Sequence, residues 1–363
     1  MPWLIGHDLI GASLYTVTNL LRLDYPYINH MTAVPLSSDR SFGLEDLKTL
    51  TESDMQRVNQ VITENLASDV VLINQLSQHI IYSGGKRLRP VLVLLSAKAC
   101  GYGGDDDALL AAVIEFIHTA TLLHDDVVDD SEMRRGQKTA SSIWGNEAAV
   151  LVGDYLYSRA FQMMVRARSM RIMALLANAT NTIAQGEVLQ LLNIHDADTT
   201  EEKYHQVIYG KTACLFEAAT QIGAILGDSD PQLEQAMADF GKHLGTAFQL
   251  VDDALDYTAN SDELGKNVGD DLAEGKPTLP LIYAMQQGND EQKTLIRNAI
   301  KQGGLEHIDA ITTIIRDTDA LHYTMQQARN ESEQAKSAIG PLPDNEYKQA
   351  LIFLADYAVE RSY

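Results

Sequence analysis

Cysteine is nearly absent from this 363-residue chain: Cys100 and Cys214 are the only two, each inside an apolar run. So few thiols exclude a disulfide framework or a cysteine metal site and suit a reducing compartment. Basic residues are also scarce. Lys and Arg number 28 against 50 Asp and Glu, a formal charge of −22 that repels a phosphate backbone, so no nucleic acid partner is expected. No basic residue precedes Arg22, so neither a secretory nor a transit peptide is expected, and the chain is read as cytoplasmic. The apolar stretch from Leu9 to Leu21 is interrupted by Ser13, Thr16, Thr18 and Asn19. It is shorter than the roughly 20 residues that span a bilayer, so no transmembrane segment is expected. Residues 1–40 lack the pattern of the rest of the chain and are read as an extension of unknown order, with Met31 as an alternative start.

Proline is missing over long distances, with none between Pro90 and Pro231 and none between Pro280 and Pro341. Because proline disrupts helix interiors, these gaps predict long helical tracts. Within them apolar residues recur at helical spacing, as in Val113, Ile114, Ile117, Ala120 and Thr121. Acidic or hydroxyl side chains stand where helices are expected to start: Thr51 and Ser53, the run Asp105 to Asp107, and Thr199-Thr200-Glu201-Glu202. No linker-like composition divides the remainder, so residues 41–363 are expected to form a single all-α domain, an antiparallel helical bundle.

What is abundant is carboxylate, and it is clustered. Asp125, Asp126, Asp129 and Asp130 lie three and four residues apart at the end of an apolar stretch, so several share a helical face. The pattern Thr119-Ala120-x-x-Leu123-x-Asp125-Asp126-x-x-Asp129 returns as Thr246-Ala247-x-x-Leu250-x-Asp252-Asp253-x-x-Asp256. An isolated acidic run is usually a solvated face. Two runs at the ends of apolar helices call for a divalent counter-charge, and magnesium bridging to a polyphosphate fits better than calcium, since no twelve-residue calcium loop is present. Donors for phosphate occur in compact groups: Gly84-Gly85-Lys86-Arg87-Leu88-Arg89-Pro90, Arg134-Arg135-Gly136, Gly265-Lys266 and Gly275-Lys276. His195, His205 and His243 lack ligand spacing and read as ordinary packing or surface residues, and Met163-Met164 as core.

These motifs together resemble the trans-type polyprenyl diphosphate synthases. The likeness runs over residues 45 to 363 and includes Gly84-Gly85-Lys86-x-x-Arg89-Pro90, Glu115-Phe116-Ile117-His118-Thr119, the two Asp-Asp-x-x-Asp runs, Arg134-Arg135-Gly136, Gly153-Asp154, Gly210-Lys211-Thr212 and the stretch from Gly265-Lys266 to Pro280. The resemblance implies an all-α fold around a central cavity, three magnesium ions per active site and a homodimer. It implies a catalytic acidic set of Asp125, Asp126, Asp129, Asp252, Asp253 and Asp256, with Asp125, Asp126, Asp129, Asp252 and Asp256 as metal ligands. Arg134, Lys211 and Lys266 would hold an allylic diphosphate, with Thr212 and Gln249 near its reacting carbons. Lys86, Arg89, His118 and Arg135 would hold isopentenyl diphosphate. Short-chain relatives carry a bulky aromatic residue five positions before the first aspartate. Ala120 stands there in this chain with Thr121 beside it, which implies a long, octaprenyl-length product and a quinone side-chain role. Heptaprenyl or solanesyl length is the alternative. Phe116, Phe161 and Met163 are candidates for the tunnel floor. A terpene cyclase would not need the isopentenyl diphosphate residues, and a noncatalytic subunit usually lacks one acidic run, so both rivals fit less well.

Overall fold

The computed structural model describes residues 42–82, 84–258 and 268–360. The 1–40 extension and Lys266 lie outside the described residues, and Phe42–Tyr363 forms one compact unit. The chain folds as α1 (Leu44–Leu66), α2 (Val71–Tyr82), α3 (Leu88–Ala99), α4 (Asp106–Val128), α5 (Ala140–Trp144), α6 (Asn146–Arg166), α7 (Met170–Asn193), α8 (Glu201–Ile208), α9 (Cys214–Leu226) and α10 (Pro231–Leu255). Further helices complete it, among them Leu279–Gln287, Ala320–Ala338 and Glu346–Glu360. The architecture is all-α, as the proline gaps predict.

The position of α4 organises the molecule. It packs on α6 along one side and on α3 and α1 along others, while α10 runs against α9 and Ala320–Ala338. Leu110 to Ile114, Phe116, Ile117, Ala120 and Leu123 are all buried, so α4 is apolar nearly all round, the signature of a central core helix. Among the described residues it alone is long and apolar enough to cross a membrane, and 72% of its most apolar stretch is buried within the protein.

Helix starts agree with the sequence in two of three places. Thr200 caps α8 by accepting the Lys203 N–H at 3.3 Å. The run Asp105 to Asp107 opens α4, but its cap position makes no side-chain bond. Asp107 is buried instead and accepts from Arg57 at 3.1 Å and from the Ala108 N–H at 2.8 Å. Thr51 and Ser53 lie inside α1, which starts at Leu44. The Thr51 hydroxyl donates back to the Leu47 carbonyl at 2.9 Å, which lets threonine sit within a helix rather than cap it.

One element has no counterpart in the all-helix expectation. Met133–Arg134 and Gln137–Lys138 form a two-stranded antiparallel hairpin, with Met133 opposite Lys138 and Arg134 opposite Gln137. Its turn residues Arg135 and Gly136 have φ of 54° and 74°, the left-handed geometry that suits a tight hairpin of this twist. The hairpin sends Arg134 and Arg135 in different directions just beyond the end of α4.

Candidate active site

Asp125 and Asp126 occupy the last turn of α4 and Asp129 is its C-cap residue. The helix closes when Asp130 adopts φ of 49°, with Asp130 N–H on the Val127 carbonyl at 3.4 Å and Ser131 N–H on the Asp126 carbonyl at 3.0 Å. These paired bonds form the Schellman arrangement and satisfy carbonyls that would otherwise be orphaned. Asp130 therefore leaves the helical face that its four-residue spacing from Asp126 predicts. α10 ends likewise with Asp252 and Asp253 in its last turn and Asp256 as C-cap.

Carboxylates at a helix C-terminus face its negative end as well as each other, so they require cations. Each member of the first run has one. Arg134 Nε lies 2.7 Å from Asp126 Oδ1, Lys276 Nζ lies 3.0 Å from Asp129 Oδ1, and Lys211 Nζ lies 3.7 Å from Asp125 Oδ2. Lys211 also reaches Glu187 at 3.0 Å, and Lys276 pairs with Glu274. Burial works against the charge on both lysines, yet the carboxylates prevail: Asp125 and Glu187 raise the pKa of Lys211, and Asp129 with Asp271 raises that of Lys276. With the carboxylates turned to separate cations, no three metal-ligating side chains converge on one point among the described residues. A divalent ion nevertheless has a fitting donor. Asp126 is fully buried, its pKa is raised by that burial, and its Oδ2 has no hydrogen-bond partner.

Lys211 and Thr212 are presented by a π-helical turn, Tyr209–Ala213, between α8 and α9. Such turns widen the helix and redirect side chains. This one is held by a close crossing with α7: a Cβ on Gly186 would lie 2.7 Å from the carbonyl carbon of Gly210. Glu187 comes directly after Gly186 and is thereby set beside Lys211. From Thr212 a hydrogen-bonded chain leads inward. Its hydroxyl donates to Gln249 Oε1 at 2.8 Å, Gln249 Nε2 donates to Asp253 Oδ1 at 2.7 Å, and the Tyr204 hydroxyl lies 2.6 Å from Asp253 Oδ2. These residues line a cleft of about 110 Å³ together with Lys211 and Lys276.

A second basic group lies at the start of α3. Arg89 packs its guanidinium 4.5 Å from the centre of the Phe216 ring, and its Nη1 donates to His118 Nε2 at 3.2 Å. Burial lowers the Arg89 pKa to about 10, against the pull of Glu115. Burial and the neighbouring Arg89 and Arg135 hold His118 well below the ordinary imidazole range, so it is neutral and accepts from Arg89. The Arg135 guanidinium lies against Gly85, and exposed Lys86 stands 5.4 Å over the Tyr357 ring. The hairpin thus splits its two arginines, Arg134 to the aspartates and Arg135 to the α3 loop.

Asp256 accepts the N–H groups of Asp270 and Asp271, each at 3.2 Å, so both its oxygens cap the short helix Asp270–Ala273. Ala120 is buried in α4, and the Thr121 hydroxyl donates to the His118 carbonyl at 2.8 Å. His195, His205 and His243 have ordinary partners in the Ile300 carbonyl, Glu201 and Glu331. Sequence reasoning missed Glu187 and Tyr204, and it met Lys276 only within a basic group. Glu187 has a local signal in the helical glycine before it, whereas Tyr204 has none.

The sequence profile named polyprenyl synthetase matches residues 70–317. The chain belongs to this family of prenyltransferases. It is 52% identical to an octaprenyl diphosphate synthase of Haemophilus influenzae over 88% of this chain and 98% of that one. It is 53% identical to an octaprenyl diphosphate synthase of Escherichia coli over 88% and 99%. A polyprenyl synthase from Caulobacter crescentus, solved in complex with calcium and isoprenyl diphosphate, superposes with a TM-score of 0.85 at 43% identity over 89% of this chain and 99% of that one.

Proposed function

We propose that this chain is a long-chain trans-polyprenyl diphosphate synthase that extends an allylic diphosphate, such as farnesyl diphosphate, with isopentenyl diphosphate units to octaprenyl length, supplying an isoprenoid quinone side chain. The observation that carries the reading is the division of basic residues. Arg134, Lys211 and Lys276 face the aspartates at the end of α4, while Arg89, His118 and Arg135 form a separate group at the start of α3. Two separate basic groups suit a reaction that brings two diphosphates together.

Asp125, Asp126 and Asp129, with Asp252 and Asp256, are the residues that would hold magnesium, taken as three ions per site. When bound, magnesium neutralises charge on the departing diphosphate. Lys211 and Arg134, with Lys266, stabilise that same charge as the allylic C–O bond breaks and its electron pair leaves with the diphosphate. The Thr212 and Gln249 dipoles face the resulting cation. Arg89, His118, Arg135 and Lys86 hold isopentenyl diphosphate so that its double bond attacks the cationic carbon and forms the new C–C bond, and orientation replaces a chance encounter. A proton then leaves the adjacent carbon to the released diphosphate, which restores a double bond.

Residues 41–363 are taken as the catalytic domain and 1–40 as an extension, with the compact unit from Phe42 in support. A homodimer is supported by exposed Leu151, Met170, Val188, Leu191 and Leu192 on α6 and α7, apolar surface that a second copy would cover. Free Cys100 and Cys214 suit a cytoplasmic setting. The test is incubation of the purified chain with farnesyl diphosphate, isopentenyl diphosphate and magnesium, with product length read by mass spectrometry. Octaprenyl diphosphate is expected. No condensation overturns the functional reading, and a predominantly short product overturns the chain length.

A further inference from the structure

Tyr204 lies on α8, 4% exposed, and meets Asp253 of α10 across 49 positions of sequence. We infer that Tyr204, acting through Asp253, is a positioning residue that fixes the direction of the Gln249 and Thr212 dipoles at the reacting carbons. The inference rests on the prenyl-transfer reading above.

Donors and acceptors along the chain set that direction. Tyr204 engages Asp253 Oδ2 at 2.6 Å, which leaves Oδ1 as the acceptor for an amide hydrogen of Gln249 at 2.7 Å. That assignment is the same for an ionised Asp253, which accepts from Tyr204, and for a protonated one, which places its hydrogen on Oδ2. Gln249 must then turn its nitrogen to Asp253 and its oxygen to Thr212. The Thr212 hydroxyl, 2.8 Å from Gln249 Oε1, spends its hydrogen on that oxygen. Its lone pairs are left facing the cleft that Lys211 and Gln249 line, the negative end of the dipole toward a developing cation. If the phenol is removed, Oδ2 loses the donor that holds the carboxyl group in place, Asp253 is free to turn, and the Gln249 amide bonded to Oδ1 turns with it. The Thr212 hydroxyl, bonded to that amide, then no longer holds its lone pairs toward the reaction.

Tyr204→Phe keeps the ring and removes the bond. We expect kcat to fall about tenfold, the loss of one hydrogen bond to a charged group, with both KM values within about twofold of wild type and Tm little changed. In a Thr212→Val background, where the directed dipole is gone, the same substitution is expected to cost less than about twofold. A merely structural role would give the full loss in both backgrounds. An unchanged kcat for Tyr204→Phe, or an undiminished loss on top of Thr212→Val, overturns the inference. If Tyr204→Phe does not fold, a second pair decides. Asp253→Asn can still offer an oxygen to Gln249 and an N–H to the Tyr204 oxygen, so it is expected to lose several-fold less kcat than Asp253→Leu, and equal losses overturn the inference. A wild-type chain that condenses nothing overturns the functional reading and this inference with it, whereas wild-type condensation without these effects overturns the inference alone.

Discussion

Arg89 and His118 form a unit in which a guanidinium donates to a neutral ring, and neither group carries its ordinary pKa. Arg89→Ala or His118→Ala should raise the KM for isopentenyl diphosphate about tenfold or more, from the loss of a charge-assisted bond. Lys211→Ala should act on the allylic substrate, and equal effects on both substrates in steady-state kinetics would refute the division. The lowered His118 pKa also has a sign. Below the usual histidine range the unfolded chain takes up a proton that the folded site refuses, so this group costs stability as pH falls through that range and nothing above it. His118→Gln should reduce that part of the acid loss in thermal melts between about pH 7 and pH 5. At the acidic runs, Asp125→Ala should abolish most turnover while leaving the helical signal in circular dichroism intact, and chelation should do the same reversibly. A variant with near-normal rates at limiting magnesium would rule out the role. The aspartates were legible from sequence because their spacing is local. The bonds of Asp253 and Asp256 were not, because their partners Tyr204 and Asp270 lie on other elements.

At the scale of elements, the close crossing of α7 with the π turn constrains the site. Gly186→Ala would put a methyl group into the backbone of Gly210, so we expect a loss of about 1–3 kcal/mol in denaturant unfolding and a fall in kcat as Lys211 and Thr212 shift. Wild-type stability and rate would mean the crossing is slack. On the proposed function, α4 would set the product length. Ala120 stands five residues, about 7.5 Å, before Asp125 along the axis, toward the start of α4 and away from the acidic run. Ala120→Tyr should therefore shorten the main product by several isoprene units while the first condensation survives. Full-length product from a folded, active variant would put the tunnel elsewhere. Periodicity and proline gaps made the helices legible, since both report on residues near in sequence. The hairpin carrying Arg134 and Arg135 was missed because two residues per strand give no alternation to read, and its one signal was the Arg135-Gly136 turn. Thr51 and Ser53 misled because a threonine hydroxyl can bond within a helix as well as at its start.

For the molecule as a whole, a charge of −22 and two anionic substrates would be at odds were the cations not gathered into two places. Around α4 each of those cations already has a carboxylate, Arg134 on Asp126, Lys276 on Asp129 and Lys211 on Asp125. On the proposed function, the protein's own cations would compete with divalent ions for these carboxylates. Lys276→Met removes one competitor, so in calorimetry it should tighten the binding of magnesium alone several-fold while weakening the binding of inorganic diphosphate, and parallel weakening of both would refute the competition. On the proposed function, a diphosphate that paired with these cations would free the aspartates for metal, and by linkage metal would free the cations for diphosphate in equal measure. A site built so would resist loading by metal alone and would fill best when metal and anion come together.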